Sequence, residues 1–145
     1  MTDTTSPLDH SGLAVLSRWE CFDRLGRMPV GRIAFVSNGD PVIFPVNHAL
    51  DGEAVVFRTN AGSKLLAADA ESPVAFEVDG YDPERRTGWS VIVRGVATTV
   101  RDLQVIARLD RLGVGPWADV VDRAYWVRIS TYGITGRQVV HPAET

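Results

Sequence analysis

The chain has 145 residues, and its 15 basic and 18 acidic side chains leave a formal charge of −3. That length suits one compact domain burying roughly 70% of the extended chain's surface, and 45% hydrophobic with 23% charged residues excludes a disordered chain. A single cysteine, Cys21, rules out an internal disulfide framework, and the absence of basic tracts, of an apolar leader and of any apolar run near the ~20 residues of a membrane span predicts a cytoplasmic protein without nucleic-acid or membrane partners.

Residues 1–15 are polar, with Pro7 and Gly12, and read as a flexible N-terminal tail before a single domain over 16–141. Ser17-Arg18-Trp19-Glu20 has the spacing of a capping box. The helix it opens reads with Trp19, Cys21, Phe22, Leu25 and Met28 on one face, and it stops at Pro29 and Gly31. A period of two then sets in. Arg32–Val36 reads as a strand, Asn38-Gly39-Asp40 as a hairpin turn, and Pro41–Leu50 as a second strand. Asp51-Gly52 turns the chain into Glu53–Thr59. A short helix, Ser63–Glu71, precedes the alternating strand Pro73–Asp79 and the long strand Gly88–Arg101. Asp102 is placed to cap a helix over Leu103–Leu112, and a last strand begins at Tyr125. The pattern predicts a mainly β fold: a six-stranded antiparallel split β-barrel with peripheral α-helices.

Familiar catalytic patterns are missing. His10, His48 and His141 have no ligand-like spacing, and no nucleophile elbow or Walker loop is present, so neither a metal site nor a catalytic side chain is assigned. Asp79 and Asp82 read as solvated turn-formers. The informative stretch is Phe57-Arg58-Thr59-Asn60-Ala61-Gly62-Ser63-Lys64, where a strand ends, a turn follows and a helix begins. Arg58, the hydroxyls of Thr59 and Ser63, Lys64 and the first N–H groups of the helix converge there, a combination that suits a phosphate. The same spacing equally describes a capped helix with a solvated Arg and Lys. Fourteen of the fifteen basic residues are arginine, which makes Lys64 the only lysine.

The same eight residues resemble the phosphate-binding segment of the pyridoxamine 5′-phosphate oxidase family of FMN-binding split barrels. Phe44-Pro45-Val46-Asn47 is similar to the strand along which that family lays the flavin ring. Gly88–Ala97 resembles the strand that reaches the flavin of the opposite subunit, and Ile134-Thr135-Gly136-Arg137 resembles the ending of small actinobacterial-type members. The resemblance spans about residues 16–140. It implies FMN as cofactor, with the phosphate on Arg58, Ser63 and Lys64 assisted by Thr59, the ring bordered by Pro45, Val46 and Asn47, and Trp89 and Ser90 touching it across a homodimer interface. Aromatic area from Trp89, Trp117 and Trp126 is expected at that interface.

The resemblance also implies an oxidoreductase acting on a small molecule. The departures matter here: the sequence closes on His141-Pro142-Ala143-Glu144-Thr145 without the basic C-terminal residues that grip a vitamin phosphate, so oxidation of pyridoxine phosphate is not expected. The alternatives are a reductase that uses the deazaflavin coenzyme F420, with Arg85 and Arg86 supplying extra cations, and a flavin-storage protein without turnover.

Overall fold

The computed structural model describes residues 7–114 and 125–141. In chain order these form β1 (Ala14–Val15), α1 (Arg18–Arg27), β2 (Val30–Ser37), β3 (Asp40–Asp51), β4 (Ala54–Thr59), α2 (Ser63–Asp69), β5 (Pro73–Asp82), β6 (Thr87–Thr99), α3 (Leu103–Asp110) and β7 (Tyr125–Gln138). The strands follow the order β1-β7-β4-β3-β2-β5-β6, and β6 also pairs with β7. All pairings are antiparallel. Six strands therefore close a ring, as the sequence predicts, and β1 joins β7 as a seventh.

Closure depends on β7 and on one bulge. The β6–β7 register shifts between Arg94 and Gly95, leaving Tyr132 as the extra residue between Gly133 and Thr131. Such a bulge bends and twists a strand, which a closing sheet needs. Gly95 lets the strands approach there: a methyl group on it would stand 2.2 Å from the Ser130 carbonyl oxygen.

Alternation along the strands fills the ring. Ile33, Val55, Phe57, Phe76, Val78, Val93, Val127 and Ile129 are fully buried in one cluster. Burying each such side chain contributes about 1.5–3 kcal/mol. Ala67 and Ala68 of α2 enter the same cluster, and their small size lets that helix lie close against the barrel. On the opposite face of β4 and β7, Val56 and Trp126 pack against Leu109 of α3. Asp51 anchors that helix by accepting from both Arg108 and Arg128.

Two expectations need correction. Residues 7–15 are not loose along their length: Ala14 and Val15 pair with Gln138 and Arg137, and Asp9 accepts from Leu13 N and from Arg137 Nε, each at 3.0 Å. The capping box of α1 is present, but Trp19 is 74% exposed while Cys21 and Leu25 are buried. At 3.6 residues per turn, two positions advance about 200°, which turns Trp19 away from the face that carries Cys21 and Leu25.

Candidate functional site

β3 and β4 part company where the sequence places its ligand-binding residues. Their ladder runs from Asp51↔Ala54 to His48↔Phe57 and stops. Beyond it, Asn47, Val46 and Pro45 face Val30, Gly31 and Arg32 on β2, while Arg58 and Thr59 face Trp126 and Tyr125 on β7. Pro45, which has no N–H to give, lies in the part of β3 that β4 no longer accompanies.

Arg58 is the unusual group at the end of β4, on the face that Val56 and Trp126 present to α3. Its Nε is buried without a hydrogen-bond partner, and its guanidinium lies 5.5 Å from the ring centroid of Trp126. Among the described residues no carboxylate pairs with it, whereas Arg32, Arg101, Arg108, Arg128 and Arg137 all have one. A buried donor without an acceptor costs about 1–3 kcal/mol, and more when charged. Lys64, in the first turn of α2, brings its Nζ to 4.3 Å from the ring centroid of Phe44 on β3, so the helix start reaches across to the strand that carries Pro45–Asn47.

The remaining predicted residues divide by environment. Val46 is 6% exposed and belongs to the core, so only its backbone can border a ligand. Asn47 is half-buried, and its carboxamide makes no hydrogen bond among the described residues. Thr59 is buried and its hydroxyl donates to Asn60 O at 3.2 Å, where it shapes the turn. Ser63 opens α2 after Gly62, a cap position with no side-chain hydrogen bond, and its own hydroxyl has no partner among the described residues.

Trp89 and Ser90 lie elsewhere. They pair with Gln138 and Arg137, whereas Arg58 pairs with Trp126. Gln138 and Trp126 stand twelve positions apart on β7, with the bulge between them. The two groups of residues attach to opposite ends of β7. Of the aromatic residues expected at an interface, Trp126 is instead buried within the protomer, with its indole N–H donating to Asp110 at 2.7 Å, and Trp117 lies outside the described residues.

Two adjoining clefts flank Trp89, of about 520 and 420 Å³, and they share Gly80, Tyr81, Gly88 and Gln138. Arg24 enters the first, while Arg32, Asp79 and Arg137 enter the second. Sequence reasoning assigned no ligand role to Arg24, Tyr81 or Gln138. A signal was present in the pairing of glycine with an aromatic residue on the β5–β6 hairpin, Gly80 opposite Trp89 and Gly88 opposite Tyr81. Asp82 is a turn-former as expected, accepting from Glu84 N and Arg85 N, and Arg85 is solvent-facing. Among the described residues no group of His, Cys, Asp or Glu is arranged to hold a metal. No helix in the same set is long and apolar enough to cross a membrane.

Comparison with known proteins agrees with this architecture. An uncharacterised protein of Mycobacterium tuberculosis is 37% identical over 97% of this chain and 94% of its own length. The solved structure of the FAD binding protein from Mycobacterium smegmatis is 41% identical, covers 86% of this chain and 96% of that one, and superposes with a TM-score of 0.72. A conserved protein of unknown function from Corynebacterium diphtheriae gives 36% identity, 88% and 98% coverage and a TM-score of 0.73. Residues 17–138 match the sequence pattern of the pyridoxamine 5′-phosphate oxidase family, and the chain belongs to that family.

Proposed function

We propose that the protein is a flavoprotein that binds FMN non-covalently as a homodimer and serves as an oxidoreductase on a small molecule. The observation that carries this reading is the buried Nε of Arg58, which has no hydrogen-bond partner among the described residues, with Lys64 six residues on at the start of α2. Two cations match the dianion of a phosphate monoester, which would give Arg58 the acceptor it lacks. Ser63 would add a hydroxyl, and Thr59 would hold the turn. Pro45, Val46 and Asn47 would border the ring, the first two through their backbone and Asn47 also through its carboxamide.

The dimer is supported by two features. Trp89 and Ser90 stand at the other end of β7 from Arg58, so a shared site would draw them from a second copy. Val36, Ile43 and Ile92 are also 66%, 67% and 41% exposed on β2, β3 and β6. Such apolar area on an outer barrel face suits a partner. When bound, the flavin supplies the hydride and electron chemistry, and the chain's residues bind it, orient it and control water around it. No side chain needs to act as acid or base for that role.

The relative from M. smegmatis is described as FAD binding, and in FAD the ribityl phosphate is one half of a pyrophosphate and bears one negative charge fewer than in FMN. Titration of the purified apoprotein with FMN, FAD, riboflavin and the deazaflavin separates the possibilities. Tightest binding of FMN supports the proposal. Preference for FAD moves the assignment to the dinucleotide, and uptake of the deazaflavin alone overturns it. Bleaching of the bound flavin by NADH or NADPH distinguishes an enzyme from a storage protein.

A further inference from the structure

The first cleft beside Trp89 has features that phosphate binding at Arg58 does not use. It opens between the C-terminal half of α1 and the β5–β6 hairpin, with a volume of about 520 Å³. Glycine lets the indole of Trp89 lie against the β5–β6 hairpin. A methyl group on Gly80 would stand 2.8 Å from Trp89 Nε1, and one on Gly88 would stand 3.1 Å from the Gly80 carbonyl oxygen. The indole of Trp89 is half-buried, and its N–H has no acceptor among the described residues, in contrast to that of Trp126.

Arg24 supplies charge. Its guanidinium lies 5.9 Å from the Trp89 ring centroid and donates to Gln138 Oε1 at 2.5 Å, which fixes it over the cleft. The nearest carboxylate, Glu20, stands 3.8 Å away and accepts the Ser17 backbone N–H in the capping box. Other charges at the cleft are matched locally: Arg27 pairs with Asp23 at 2.6 Å, and Asp82 accepts from its own turn. Arg24 thus meets one carboxylate, at 3.8 Å, and stands beside the indole of Trp89, whose N–H has no acceptor among the described residues.

We propose that this cleft binds a flat conjugated carboxylate, its charge on Arg24 and one oxygen on the indole N–H of Trp89. A guanidinium fork matches a carboxylate's two oxygens, and a single available cation suits one negative charge rather than a phosphate dianion. Because Trp89 is also the residue expected to reach a partner's flavin, such a ligand would lie beside the ring as its substrate. That last placement rests on the flavin reading, while the binding itself does not.

The test uses the full chain labelled with ¹⁵N, observed through its indole N–H signals, with the Trp89 signal assigned from Trp89→Phe. Nicotinate and nicotinamide serve as probes because they share a ring and differ in charge. Nicotinate is expected to shift the Trp89 signal with an apparent affinity at least about tenfold above that of nicotinamide, and Arg24→Gln is expected to erase the difference. Equal affinities, or a Trp89 signal that neither probe moves, would overturn the proposal, and the titrations that decide it are made on the parent protein. FMN titration of the same sample reads the flavin site separately, so nicotinate binding without FMN binding supports the cleft and removes only the flavin reading.

Discussion

His48 gives Leu25 the hydrogen bond that the chain's own helix cannot. The Leu25 carbonyl would accept from residue 29 in a continuing helix, but that residue is Pro29 and has no N–H. The Nε2 of His48 lies 2.9 Å from the Leu25 oxygen, and because a carbonyl only accepts, Nε2 carries the proton. His48 N donates to Pro29 O at 3.1 Å, so one residue of β3 secures the end of α1 twice. The other ring nitrogen, Nδ1, is buried and unpartnered, and the ring meets Phe76 edge-on at 4.9 Å. Burial accordingly holds the imidazole below its ordinary 6.5.

A pH dependence follows from that burial. The unfolded chain protonates His48 near pH 6.5 and the folded chain resists it, so this contribution to stability is present above pH 6.5 and is lost as pH falls through the lower folded value. His48→Phe should remove this slope while costing about 1–3 kcal/mol at neutral pH, because the Leu25 carbonyl is left bare. Urea midpoints at pH 5 and 7 check both statements. A slope that persists in the variant would place the titrating group elsewhere.

Glu77 should act in the opposite sense. Burial, and then the Asp79 carboxylate two residues along β5, push its carboxyl up to about 7 against the pull of Arg32. The folded chain therefore keeps a proton that the unfolded chain releases near 4.5, and this stabilisation fades as pH rises from about 4.5 towards about 7. Glu77→Gln should flatten that part of the profile and leave the His48 slope intact. The two single variants, followed by urea unfolding across pH 4.5–8, separate contributions that partly cancel in the parent protein.

The phosphate assignment has its own discriminating pair of ligands. Arg58→Met keeps a long side chain to cover Trp126 but removes the charge, and Lys64→Ala removes the cation beside Phe44. Each should weaken FMN binding by roughly 10- to 100-fold and riboflavin binding much less, since a charge-assisted hydrogen bond contributes about 1.5–3 kcal/mol. Lys64→Arg should be intermediate. Fluorescence titration with both flavins provides the measurement, and equal losses for the two would assign these residues to the fold.

At the barrel seam, Gly95→Ala should destabilise the protein by about 1–3 kcal/mol or more, because the added methyl meets the Ser130 backbone 2.2 Å away rather than a side chain that can turn aside. Thermal unfolding of the variant should begin well below that of the parent. An unchanged midpoint would mean that the bulge relaxes.

Local order was legible in the sequence where a short-range rule governs it. The capping box at Ser17–Glu20, the Asp102 cap and the hairpin at Asn38-Gly39 depend on neighbours within four residues, and all stand where those rules put them. Trp19 was misread because apolar character was followed without its 100° advance. The pairing of Ala14–Val15 with β7 was not legible, since nothing near those residues encodes a partner more than a hundred positions away. The site divides in the same way. Arg58 and Lys64 follow from one strand–turn–helix segment, whereas the cleft at Trp89 joins α1, a hairpin and the end of β7.

The position of β7 in the chain has a consequence for biogenesis. It pairs with β4, with β6 and with β1, and it is the last of these strands to be synthesised. Until residues 125–138 leave the ribosome, the nascent polypeptide carries β4 and β6 as open edges around apolar side chains. Unpaired edges of this kind template aggregation, and pairings between sequence-distant strands form slowly. Closure therefore waits for β7, and the hazardous interval for this protein is the one between the emergence of β6 and the arrival of that strand.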